Sequence, residues 1–168
     1  PLKEDNSLSM NRYSQALEVE FRFLQPPFEI DFFSLSRNLT ESRCVRRWKR
    51  YGRFPISLAR QSLTKNCLFH FLDQSYSYLC SMFSLSMVTC HDLAEFKITD
   101  MNFLQKQVWK FRVAGMRHAK KIVCPSQETI NSVLDYNGQL GGRTIQIPMG
   151  VEYDFFSKQA TSSQVSKQ

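Results

Sequence analysis

The side chains best equipped for chemistry follow directly after short apolar segments. Asp73 ends the run Cys67-Leu68-Phe69-His70-Phe71-Leu72, His91 and Asp92 follow Ser86-Met87-Val88-Thr89-Cys90, and Ser126 follows Lys121-Ile122-Val123-Cys124-Pro125. An imidazole changes charge near neutral pH and both gives and takes hydrogen bonds. A carboxylate beside it, Asp92, can brace the turn or hydrogen-bond the ring. Each candidate also has a plainer reading. A histidine after a strand is commonly a hydrogen-bonded structural residue, and Asp73 and Ser126 are natural helix N-caps as well as possible contacts. His70, inside an apolar segment, and His118, at a helix end, read as structural. The 5 cysteines form no Cys-x-x-Cys pair and no close Cys/His group, so neither a disulfide framework nor a metal site is indicated. Cys67, Cys80, Cys90 and Cys124 read as buried small hydrophobes.

A second chemistry is electrostatic. Of a net charge of +7, much lies in Arg37, Arg43, Arg46, Arg47, Lys49, Arg50, Arg53 and Arg60, a stretch opposed only by Glu41. It reads as a solvated loop, or as a positive patch for an anionic membrane surface or another phosphate-bearing partner. Nucleic acid fits it less well. Trp48, Tyr51 and Phe54 interleave with the arginines, but no helix-turn-helix, finger or RNP-like motif accompanies them.

These groups need a frame. With 168 residues, 42% hydrophobic and 22% charged, and only 6 Gly and 6 Pro, the chain is sized for one globular domain, which excludes collagen-like, low-complexity and wholly disordered classes. The longest uncharged stretch, from Gln74 to His91, is too rich in hydroxyls to enter a bilayer well. Pro1 to Ser9 has no apolar core of a signal peptide, so a reduced, cytoplasmic setting is expected.

Met10, Tyr13, Leu17, Phe21 and Leu24 share one face of a helix that Ser7 or Ser9 can cap and that Gln25-Pro26-Pro27 stops. Glu29 to Leu35 reads as a strand and Ile56 to Leu63 as a short helix. Residues 67–72 read as a buried strand, Gln74 onward through Tyr76, Leu79 and Phe83 as a helix, and 86–90 as a strand. Met101 to His118 reads as a helix with Phe103, Leu104, Val108 and Phe111 on one face and Lys106, Lys110 and Arg117 toward solvent. Lys121 to Cys124 is a strand, Ser126 caps a helix ended by Asn137-Gly138, and Thr144 to Ile147 is a last strand closed by Pro148-Met149-Gly150. The tail 157–168 is polar and reads as disordered. Strands alternating with helices, without hairpin turns, predict an α/β fold with a doubly wound, Rossmann-like parallel sheet. In such sheets ligands bind at the carboxyl ends of strands, where Asp73, His91, Asp92, Ser126 and Gly150 fall.

Three motifs in order, Thr89-Cys90-His91-Asp92-Leu93, Ala119 to Ser126 with Thr129, and Ile145-Gln146-Ile147-Pro148-Met149-Gly150-Val151, resemble the N-terminal half of the GT-B glycosyltransferases of the retaining, glycogen-synthase-like kind, family 4. The resemblance covers about residues 8 to 156 and makes 1–156 a single Rossmann-like domain. It implies transfer of a sugar from a nucleotide-sugar donor to an acceptor, between two Rossmann-like domains, without a cofactor or bound metal. The sequence agrees in having no Asp-x-Asp; Glu152-Tyr153-Asp154 comes nearest. By resemblance this half holds the acceptor and His91 matches the catalytic cleft histidine. Ser126 and Thr129 match the helix start that faces the cleft, and Gly150 matches the hinge.

Two departures from the family pattern stand out. Its first strand and Gly-rich turn are reduced to Pro1 to Asn6 or missing, and the second, donor-binding domain with its diphosphate-holding Arg and Lys is missing. A chain without those charges is expected to be an incomplete half that transfers no sugar unaided. The alternatives are a truncated, non-catalytic Rossmann-like module that docks on anionic membrane or a partner protein, and a relic of a degraded reading frame.

Overall fold

The computed structural model describes residues 7–33, 42–63, 67–93 and 102–150. The expected remnant of a first strand, Arg37, and everything from Val151 onward, including the tail, lie outside these residues.

Helix α1 spans Ser7–Leu24, so Ser7 and Ser9 fall inside its first turn rather than before it. Tyr13, Leu17 and Phe21 are half-buried along one face, as their spacing predicts. Gln25 takes a left-handed backbone (φ 42°), the conformation that closes many helices, immediately before Pro26. Residues 29–33, expected to open a strand, join no ladder of the sheet. Phe28, Phe32 and Phe33 are exposed there. Alternating apolar residues make a strand only where a sheet edge offers backbone partners.

The basic stretch is helical, not a loop. Helix α2 (Arg43–Trp48) runs through a π-helical turn, Lys49–Arg53, into α3 (Phe54–Ser62). Ser42 caps the start through its hydroxyl. The π turn has a local cause. Phe54 N–H reaches back to Lys49 C=O, and the next amide in that pattern belongs to Pro55, which has no hydrogen to give. The Arg50 carbonyl is instead satisfied by the Tyr78 hydroxyl at 2.8 Å. Burial pushes that phenol up to about 12, against the opposing pull of Arg50 and Arg112, so it stays a donor. Tyr78→Phe therefore leaves a carbonyl without its partner and should cost about 1–2 kcal/mol in urea unfolding. In a Pro55→Ala background the restored amide should make the same change cheaper.

Among the described residues four parallel strands form one sheet in the order β1-β2-β3-β4: Phe69–Phe71, Ser86–Thr89, Lys121–Cys124 and Thr144–Gln146. Phe71 lies beside Val88, Thr89 beside Val123 and Cys124 beside Gln146, so the carboxyl ends line up along one edge. The fold is thus α/β with an all-parallel sheet flanked by helices, consistent with the Rossmann-like class. Strand β1 is shorter and less buried than expected, and among the described residues it is the last strand on its side; Leu68 is exposed and Cys67 half-buried.

A 3-10 helix (Gln74–Ser81) lies between β1 and β2. Helix α4 (Phe103–Ala114) packs on it and continues as a 3-10 turn, Gly115–His118; helix α5 (Gln127–Tyr136) packs on β3 and β4. Leu79, Val88, Val113, Met116, Ile122 and Val133 are fully enclosed at the centre of the core.

Lys106, Lys110 and Arg117 face solvent as expected, but the apolar face expected to pack does not. Trp109 and Val113 point into the core, whereas Phe103, Leu104, Val108 and Phe111 are exposed. Both faces are apolar, and the choice between them falls to the contact α4 makes. Ser77 Oγ donates to Arg112 C=O at 2.6 Å, drawing the Trp109–Val113–Met116 side onto the 74–81 helix.

Candidate functional site

The lined-up strand ends bring three predicted positions together around His91. The turn after β2 begins with Cys90, whose N–H donates to Val123 C=O, and passes into His91-Asp92-Leu93. His91 Nε2 lies 2.9 Å from Leu72 C=O at the end of β1. A carbonyl only accepts, so Nε2 carries a proton, and in the neutral ring Nδ1 is the acceptor. The His91 N–H donates to Gln74 Oε1 (3.1 Å), and Gln74 Nε2 donates to Asp92 C=O (2.9 Å), so one amide side chain clamps both sides of the turn. From the other side, Thr129 Oγ1 donates to His91 C=O at 3.1 Å. The ring of Tyr13, on α1, meets the imidazole edge to face, 5.2 Å between centroids.

Ser126 is the N-cap of α5. Its hydroxyl accepts the Thr129 N–H at 3.2 Å, and the two hydroxyls are themselves 3.2 Å apart. Glu128, in the same first turn, complements the helix dipole as expected. Asp73 caps the 74–81 helix, its Oδ1 accepting the Ser75 N–H at 2.6 Å. Asp92 enters the turn through its backbone carbonyl, with its side chain exposed. Gly150 lies at the exposed end of the described chain after β4. The structure therefore joins His91, Asp92, Ser126 and Thr129 into one hydrogen-bonded edge, places Asp73 next to it as a cap, and leaves Gly150 apart.

Two residues of this edge carry no signal in the sequence. Gln74 sits beside an obvious cap, where nothing marks its amide as the clamp of a turn 17 residues away. Tyr13 belongs to the helix stripe, and its spacing says core rather than site. His70 is structural, as expected. Its Nε2 is 2.9 Å from Thr89 Oγ1, and burial holds its pKa below the usual value. Among the described residues no group of three or more His, Cys, Asp and Glu side chains is placed to hold a metal ion.

The thiols divide by burial. Cys80, Cys90 and Cys124 are buried, and desolvation pushes Cys80 and Cys124 up to about 11 and Cys90 higher still. Iodoacetamide at mildly alkaline pH should label exposed Cys44 first and leave these three unmodified until the chain unfolds, as read by peptide mass spectrometry.

The basic residues do not act as one patch. Arg46, Arg47 and Arg53 are exposed, whereas Arg50 turns inward. Its guanidinium stacks 4.3 Å from the Tyr76 ring centre and donates to Ser75 Oγ (2.5 Å) and Ser75 C=O (3.2 Å). The reason is the π turn, which rotates Arg50 onto the inner side of the helix with Tyr51. Lys49 is half-buried, and the Arg43 side chain lies outside the described residues. No helix of the described residues is long and apolar enough to cross a membrane. No protein-family model matches this chain, and no curated protein or solved structure matches it.

Proposed function

We propose that the carboxyl edge around His91 is the acceptor-side wall of a retaining, nucleotide-sugar-dependent glycosyltransferase of the GT-B kind. In this reading the sheet belongs to a doubly wound, Rossmann-like domain. What supports it most is the imidazole itself. One nitrogen is tied to backbone and the turn is clamped from both sides by Gln74 and Thr129, so His91 is held in one orientation with Nδ1 as its acceptor. Such a ring suits a sugar hydroxyl, from which it takes a proton's hydrogen bond without swinging away. Ser126 and Thr129 add hydroxyls at a helix start, and Gly150 is the exit toward a donor-binding domain. This reading assigns diphosphate stabilisation to that donor-binding domain, so residues 1–168 by themselves should release no nucleotide from UDP-, ADP- or GDP-sugars.

The test is amide and imidazole NMR of the full chain against a panel of mono- and oligosaccharides at high concentration. Shifts centred on His91 and Thr129, absent in a folded His91→Ala variant, support the reading. Steady nucleotide release by the chain alone would overturn the incomplete-enzyme view, and saccharides that shift nothing along this edge would overturn the acceptor view.

A further inference from the structure

A different face of the molecule carries an independent assignment. Two shallow grooves meet at Ile56: one, of about 430 Å³, is lined by Trp48, Arg53, Ser57 and Arg60, and the other, of about 530 Å³, by Tyr51, Pro55, Tyr78, Met82 and Phe111. Together they make one continuous surface across the helix 43–62, the 74–81 helix and α4. Its large apolar side chains stand in solvent: Trp48 is 65% exposed, Ile56 51%, Met82 52% and Phe111 58%. Contiguous apolar surface of this kind marks an interaction site rather than the scatter found on any protein.

Its charge is one-sided. Segments 42–63, 74–82 and 102–118 contain no Asp or Glu; Arg53 and Arg60 line the first groove, and Arg46, Arg47, Lys106 and Lys110 are exposed on the same helices. Arg50 turns inward, its terminal nitrogens held by Ser75 and its guanidinium stacked on Tyr76 while its buried Nε has no partner, and so it does not interrupt the outer face. An occupant must therefore bring negative charge at the rim and apolar material at the centre. A polynucleotide supplies the first without much of the second. A bilayer of acidic phospholipid supplies both at the depth of one side chain, with the indole at the boundary.

We propose that this acid-free face docks on the surface of an anionic phospholipid bilayer, with Trp48, Ile56, Met82 and Phe111 entering the headgroup boundary and the exposed arginines contacting lipid phosphates. The proposal does not rest on the glycosyl-transfer reading.

The experiment is co-sedimentation of the full chain with phosphatidylcholine vesicles, with and without one third phosphatidylglycerol, coupled to quenching of tryptophan by acyl-brominated lipid. The expected result is binding that requires phosphatidylglycerol, weakens with salt, and quenches Trp48 while buried Trp109 stays bright. Changing Arg46, Arg47, Arg53 and Arg60 together to Gln should lower affinity by about fivefold per residue, several hundredfold in all. Replacing Trp48, Ile56 and Phe111 by Ser should abolish quenching with the charge intact. Phe111 stacks on Tyr78 at 5.5 Å; if the apolar variant loses its near-UV circular dichroism, the arginine variant, altered only at exposed positions, decides alone. Equal binding to pure phosphatidylcholine, sedimentation without quenching, or displacement by polyuridylate at equal phosphate would each overturn the proposal.

Discussion

Gly115→Val yields a chain that no longer unfolds cooperatively. A β-carbon built at Gly115 comes 1.9 Å from the Ser77 carbonyl oxygen, 2.4 Å from its carbonyl carbon and 2.6 Å from Tyr78 Cα. All three are backbone atoms, so no rotamer change relieves the clash. The 74–81 helix and the end of α4 must separate, and with them the Ser77 to Arg112 hydrogen bond and the packing of Leu79 and Met116, both fully buried. Even Gly115→Ala adds the offending atom and should cost about 3–4 kcal/mol, a large share of the roughly 5–15 kcal/mol that holds a domain of this size. Gly142→Ala is the control, since nothing lies within 4 Å of its β-carbon position; it should change the urea midpoint by no more than about 0.5 kcal/mol. A folded, cooperative Gly115→Val would show that the two helices do not cross here.

Trp109→Ala and Leu104→Ala should differ sharply although both residues sit on α4. Trp109 is 7% exposed, and its truncation leaves a cavity in the core at a cost of about 3–5 kcal/mol. Leu104 is 73% exposed and should cost within about 0.5 kcal/mol. Urea unfolding of the two variants reads which face of α4 is buried. The result also bears on the membrane-docking face, because Phe111 and Val108 lie on the side this experiment reports as free.

Local chemistry was legible wherever a residue acts on its own neighbours in sequence. Ser126 capping α5 and Asp73 capping the 74–81 helix are both side chains accepting an N–H two or three residues on, and short polar side chains do this without tertiary help. The strand Lys121–Cys124 and the stop of α1 at Gln25-Pro26 were equally readable, the first from an apolar run between turn signals and the second from proline geometry. The parallel arrangement followed from alternation of strands and helices with no hairpin turn between them.

What failed were the inferences that needed a partner. Residues 29–33 carry a strand pattern but no sheet edge meets them. The arginine-rich stretch looked like a loop because charge is not helix patterning; its helix is organised by inward residues such as Pro55 and Leu58 and by a tyrosine 28 residues from the carbonyl it satisfies. Of the edge around His91, the sequence pointed to His91, Asp92, Ser126 and Thr129, the last by resemblance, but not to Gln74 or Tyr13. Both act on residues far along the chain.

The sequence by itself determined the strands and helices between residues 67 and 146, the caps at Asp73 and Ser126 and the placing of polar groups at strand ends, because these depend on backbone preferences and hydrogen bonds spanning a few residues. The tertiary structure decided which face of α4 is buried, which way Arg50 turns and how His91 is held. Those choices are made by close packing at Ser77 and Gly115 and by hydrogen bonds between distant segments, whose energies exist only once the helices and strands have met.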